Sequence, residues 1–152
     1  MYLSDKITLS AEETELLGMS LAKKISEDTS LPHFIALYGD LGVGKTAFIR
    51  GFCSFAAPQA KVKSPTFTLV NEYKGASLPV FHFDMYRIED EDSLYSIGFD
   101  DYPDRGICLI EWTENIEFAL PEEYIKVTIT KNNIEIPCSR QVIIELVGKD
   151  NL

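Results

Sequence analysis

Eight consecutive residues, Gly39-Asp40-Leu41-Gly42-Val43-Gly44-Lys45-Thr46, fit the pattern G-x-x-x-x-G-K-[ST] in full. Each part of that pattern answers a demand of phosphate chemistry. Glycines let successive backbone N–H groups curl around an anion, where a Cβ would obstruct the approach. A helix that starts at the lysine brings the positive end of its dipole to the same point. Lys45 is placed to reach β- and γ-phosphates, and the Thr46 hydroxyl to hold Mg²⁺. At average residue frequencies the pattern arises by chance in about one chain of this length in two hundred. A glycine turn closing a strand is the plainer explanation, but the segment also sits between a predicted strand and a predicted helix, the context phosphate binding needs.

Magnesium at such a loop usually takes a second contact, direct or through water, from an acid at the end of a neighbouring strand. Glu111 ends the run ICLIE, and Asp84 ends the run VFHFD. We assign Glu111 to the metal, and Asp84 to the attacking water or a water-mediated metal contact. Thr66, in Ser64-Pro65-Thr66, lies about twenty residues beyond Lys45, where switch segments bring a hydroxyl to the γ-phosphate. Turn formation explains that tripeptide equally well. Arg87 either stabilises transition-state charge or pairs with the cluster Glu89–Asp92. Trp112, the only tryptophan, either lids the site or packs. Neither His33 nor His82 has a carboxylate-and-nucleophile set to join, so both read as ordinary strand residues.

The elements that must position these groups can be read from periodicity and capping. Ser10 followed by Glu13 forms a capping box, and Leu17, Leu21 and Ile25 recur every four residues, which predicts a helix over 11–27. His33 to Tyr38 (HFIALY) reads as a buried strand. Lys45 to Phe55 reads as the helix after the glycine loop. Thr66–Tyr73 and Val80–Phe83 are β-rich, Glu89–Tyr95 reads as helical, and Ile107–Ile110 as another buried strand. Ile125, Val127 and Ile129 alternate with polar residues, Lys131-Asn132-Asn133 suits a turn, and Gln141–Val147 reads as a strand. Strands separated by helices, then a β-meander, predict an α/β fold with an antiparallel portion.

Composition bounds the reading. A chain of 152 residues with 45% hydrophobic and 11% aromatic content can bury a core, which excludes disordered, collagenous and coiled-coil classes. Residues 1–152 are expected to form a single domain. No apolar run reaches the roughly 18 residues of a membrane span, and the first residues lack a basic-then-apolar signal pattern, so a cytoplasmic location with no membrane partner is expected. Three widely spaced cysteines and two histidines argue against a disulfide framework or a zinc site. The net charge of −10 is concentrated in residues 72–124, with 14 acidic and 3 basic side chains. A chain so acidic is a poor nucleic-acid binder by itself, and no DNA contact is expected. The acidic block is either a solvated face or a docking surface for a basic partner.

The guanine-reading segment N-K-x-D is absent, since Lys131-Asn132-Asn133 lacks the aspartate, and no arginine-rich kinase lid occurs. ATP hydrolysis is favoured by elimination. A small-molecule kinase and a nucleotide-gated binding switch remain as alternatives.

Five segments in order, GDLGVGKTAFIRGF (39–52), VKSPTFTLVNEY (62–73), FHFDMYRI (81–88), IGFDDY (97–102) and ICLIEW (107–112), resemble the TsaE (also called YjeE) ATPases. The resemblance spans roughly residues 7–147. It implies a P-loop NTPase fold of three layers, with a mostly parallel sheet extended by antiparallel strands. It implies a bacterial cytoplasmic ATPase that supports synthesis of N6-threonylcarbamoyladenosine at position 37 of tRNAs reading ANN codons. TsaB and TsaD are the implied partners, with TsaD transferring the threonylcarbamoyl group and tRNA met only through the complex. Carried over, Thr46 and Glu111 match the magnesium positions, Lys45 the phosphate lysine, Asp84 the aspartate of HFDxYR and Thr66 the threonine of SPT. The resemblance implies that the segments bordering the adenine fall near Ser10–Thr14 and Ser139–Arg140, where the sequence departs from the family's motifs.

Overall fold

The strands that carry Asp84 and Glu111 are buried on both sides, as strands in the middle of a sheet are. In the computed structural model, which describes residues 1–40, 42–66 and 68–148, these strands lie at the centre of one seven-stranded sheet. The strands in chain order are β1 (Tyr2–Thr8), β2 (Phe34–Tyr38), β3 (Val70–Tyr73), β4 (Val80–Asp84), β5 (Ile107–Glu111), β6 (Tyr124–Asn133) and β7 (Ile136–Val147). Their spatial order is β1-β7-β6-β2-β5-β4-β3. β6, β2, β5 and β4 run parallel, while β3 pairs antiparallel on one side and β7 then β1 antiparallel on the other. The sheet is thus mostly parallel in the middle and extended by antiparallel strands, as expected.

Alternation divides the side chains between two apolar layers. Ile35, Leu37, Leu109 and Val127 face helices α1 (Ala11–Glu27) and α2 (Lys45–Ala56). Phe34, Phe81, Phe83 and Ile110 face the opposite side, where α3 (Glu91–Ser96) contributes Leu94 and a short 3-10 turn contributes Phe99. Edge-to-face contacts of Phe99 with Phe34 and Phe83, at centroid distances of 6.2 and 5.2 Å, fix that second layer. The result is three layers.

Helix α1 begins where the capping box places it, with the Glu13 N–H donating to Ser10 Oγ at 3.1 Å. Two glycines bring α1 and α2 close together. A Cβ on Gly18 would overlap the Phe48 carbonyl, and one on Gly51 would overlap the Glu15 carbonyl. Gly51→Ala therefore adds about 1 kcal/mol of helix propensity but forces two backbones apart, at a cost of about 1–3 kcal/mol from overpacking alone. The expected result is a lower urea midpoint at unchanged slope. A raised midpoint would mean that the helices separate without penalty.

Three elements differ from the sequence reading. The run Thr66–Tyr73 is a strand only from Val70. Leu69 adopts φ 68°, and its N–H turns back to the Pro65 carbonyl at 2.8 Å, so turn closure overrides the β propensity of the preceding residues. The turn expected at Lys131-Asn132-Asn133 lies later, because β6 continues through Asn133. Asn133 Oδ1 then accepts the Glu135 N–H at 2.9 Å, and the chain reverses over Ile134 and Glu135. Strand β1 was not anticipated; its burial is mostly exposed or intermediate, and it gains its order from pairing with β7. Among the described residues, no helix is long and apolar enough to cross a membrane.

Candidate functional site

Parallel strands β2, β5 and β4 all end at the same edge of the sheet, which is where α/β folds place their ligand sites. The glycine loop leaves β2 there and enters α2 at Lys45. Gly39 has φ +145°, and a Cβ on it would overlap the Ile129 carbonyl and come within 2.9 Å of Val43 Cγ2. Gly44 caps α2 in a left-handed conformation, φ 110° and ψ 20°. Ser10 and Asp90 cap α1 and α3 with their side chains, whereas no side-chain hydrogen bond caps α2 and its first turn holds no acid. The first N–H groups of α2 are therefore left to an anion. Leu41, expected to be part of the loop, lies outside the described residues.

Pairing brings the two acids together. Asp84 and Glu111 are register partners at the last positions of β4 and β5, 7% and 6% exposed. Both line a cleft of about 470 Å³ with Gly42, Gly44, Lys45 and Thr46. Ser64, Thr66, Tyr86 and Trp112 complete its walls. Thr66 Oγ1 donates to Asp84 Oδ2 at 3.4 Å, and the Tyr86 N–H donates to Asp84 Oδ1 at 2.9 Å. Asp40 and Val43 lie outside this cleft, beside Gly39, in a neighbouring depression of about 350 Å³ that Ile129 and Lys131 also border.

Lys45 is 5% exposed, and its ammonium donates to the Gly39 carbonyl at 2.6 Å. The same ammonium lies 4.2 Å from the centre of the Trp112 ring. Trp112 holds that place from a left-handed conformation, φ 58° and ψ 43°. Thr113, fully buried, donates to the Ile110 and Leu37 carbonyls at 3.1 and 3.2 Å and locks the turn behind it. Tyr86 packs on Trp112 at 5.1 Å. Arg140, on β7, donates through Nε to the Val43 carbonyl at 2.8 Å and braces the loop from outside. Ser10 serves α1 as its cap, and Ser139 Oγ meets Asn132 at 3.0 Å.

His82 is a strand residue, as expected, and among the described residues no nucleophile joins it, but a carboxylate does. The ring is fully buried, with Nε2 2.6 Å from Glu111 Oε2. The signal was available: His82 and Asp84 are two apart in one strand and so share a face, and a histidine amid Val80, Phe81 and Phe83 needs a partner. Tyr86 left no comparable signal. Burial pushes the Cys53 and Cys108 thiols up to about 12, so both stay protonated and neither supplies a nucleophile.

The donors fit a nucleotide with its metal better than a metal alone. Among the described residues, no group of three or more His, Cys, Asp or Glu is arranged to hold an ion. A hard cation bound by one or two protein oxygens and completed by phosphate and water is the habit of magnesium. Thr46, Glu111 and Asp84 are the oxygen donors at hand.

A glycine loop between a strand and an uncapped helix, at the C-terminal edge of a mostly parallel sheet, defines the P-loop class of nucleotide-binding folds. The family model of the threonylcarbamoyl adenosine biosynthesis protein TsaE matches residues 8–142. The chain belongs to the TsaE family. It is 38% identical over 125 residues to the tRNA threonylcarbamoyladenosine biosynthesis protein TsaE of Bacillus subtilis, covering 82% of this chain and 75% of that protein. The protein of the same name from Haemophilus influenzae is 47% identical over 96 residues, 62% of this chain and 61% of that one. The crystal structure of Bacillus subtilis YdiB is similar with a TM-score of 0.76 at 28% identity, covering 99% of this chain and 90% of that chain.

Proposed function

We propose that this chain is a magnesium-dependent ATPase acting in the cytoplasm with TsaB and TsaD, and that its hydrolysis supports threonylcarbamoylation of adenosine at position 37 of tRNAs reading ANN codons. Membership of the TsaE family supports the pathway. The observation that carries the chemistry is the in-register pair Asp84 and Glu111 opposite Lys45 and Thr46 in one cleft.

Each residue has a distinct task. Backbone N–H groups of Gly42, Gly44, Lys45 and Thr46 hold the phosphates. Lys45, now engaged by the Gly39 carbonyl, turns its charge to the β- and γ-phosphates. Thr46 and Glu111 hold Mg²⁺, which supplies Lewis-acid neutralisation of the phosphate charge. Asp84, its carboxylate fixed by the Tyr86 N–H and the Thr66 hydroxyl, orients the attacking water. Water in place of a hydroxyl acceptor separates this reading from a kinase.

The test is phosphate release by the purified chain, alone and with TsaB, TsaD and tRNA. Activity is expected to be low alone and several-fold higher in the assembly, and to decline as salt is raised. Exposed Asp100 and Asp101 lie in the acidic block. Reversing their charge is expected to reduce stimulation and spare ATP binding. Tight tRNA binding by the isolated chain would sink the partner-mediated reading, and transfer of phosphate to a small acceptor would replace hydrolysis with a kinase reaction.

A further inference from the structure

A fully buried polar side chain is costly unless it is completely bonded. His82 is 0% exposed in the middle of β4, where an aliphatic residue would pack. It is bonded at both ring nitrogens: Nε2 to Glu111 Oε2 at 2.6 Å, and Nδ1 to the Tyr73 hydroxyl at 3.0 Å. An ionised carboxylate only accepts, so Nε2 donates to Glu111. His82 thus occupies one oxygen of a carboxylate that lines the cleft.

The contacts continue beyond the ring. The Tyr73 hydroxyl accepts the Lys63 N–H at 3.3 Å and lies 3.2 Å from the Lys63 carbonyl. Lys63 directly precedes Ser64, whose hydroxyl meets that of Thr66 at 2.8 Å. One short loop is therefore tied to both acids: to Asp84 through Thr66, and to Glu111 through Tyr73 and His82. A carboxylate held in this way by a buried imidazole keeps one orientation.

We propose that His82 is a positioning residue for Glu111 and that, with Tyr73, it couples the Glu111 carboxylate to the backbone at Lys63, the root of the Ser64–Thr66 loop. The coupling to catalysis rests on the ATPase reading above. Displacement of the loop then disturbs both acids together, and an ordered loop fixes both.

The test compares His82→Gln, His82→Leu and Tyr73→Phe in the full chain. With ATP and the TsaB–TsaD assembly, His82→Leu is expected to lower kcat at least about tenfold with KM for ATP within about threefold. His82→Gln, which keeps a donor toward Oε2, is expected to restore most of that loss. In the isolated, nucleotide-free chain, amide exchange at Lys63 is expected to quicken about tenfold in both His82→Leu and Tyr73→Phe. A folded His82→Leu with wild-type kcat, or equal losses in the Leu and Gln variants, overturns positioning. Unchanged exchange at Lys63 in Tyr73→Phe overturns the coupling, and this measurement serves where His82→Leu does not fold. Should the wild-type assembly release no phosphate, the ATPase reading fails, while exchange at Lys63 still decides the coupling.

Discussion

Glu111→Gln is expected to bind ATP and turn it over at least about tenfold more slowly, a barrier increase of about 1.4 kcal/mol. The substitution keeps the size of a side chain that is 6% exposed, so packing is preserved. The amide oxygen can still accept from His82 Nε2, and only the negative charge beside the metal position is lost. Asp84→Asn is the informative comparison. Its remaining oxygen still accepts the Tyr86 N–H, but the new amide replaces the oxygen to which the Thr66 hydroxyl donates, and the charge that would orient the water is lost. Turnover is therefore expected to fall in Asp84→Asn as well, with magnesium affinity nearly intact. Magnesium-dependent binding of ATP to the two variants checks the division. Should Asp84→Asn lose magnesium affinity while Glu111→Gln retains it, the two roles must be exchanged.

Lys45→Ala is expected to weaken ATP binding at least about tenfold, again about 1.4 kcal/mol. Two effects act in the same direction. The variant removes the buried cation facing the phosphate position, and it frees the Gly39 carbonyl that Lys45 holds at 2.6 Å. Thr46→Ala removes an oxygen donor and no charge, so its principal effect is expected to be a higher magnesium requirement at near-normal saturating affinity. Titrating magnesium against a fixed ATP concentration distinguishes the pair. Identical profiles would show that lysine and threonine do not divide phosphate and metal between them.

Much of the site could be read in the sequence because its parts are local. The glycine loop is contiguous, and Asp84 and Glu111 each close an apolar run, so strand ends announce them. Their adjacency could not be read, because it depends on β4 pairing with β5 across the intervening α3 and its following turn. The Glu111–His82 contact was missed for the same reason: it joins residues 29 apart through register alone. The limits of the central strands and of α1 followed from apolar runs and caps. The start of β3 and the β6–β7 turn did not, since a Pro65–Leu69 hydrogen bond and an asparagine side chain decide them against propensity. Strand β1 carried no periodic signal strong enough to find, and its partner lies at the far end of the chain.

That far partner has a consequence for how the protein is made. Strand β1 finds its strand partner in β7, with Tyr2 opposite Glu145, and the glycine loop is braced by an arginine 97 residues downstream of Val43. Contacts of such span are slow to close and form late. During synthesis the ribosome delivers the complete glycine motif well before the strand that holds it in shape. The shape of the glycine loop is accordingly expected to settle only after β7 has paired. A chain clipped before Arg140 is expected to display the motif without the brace at the Val43 carbonyl.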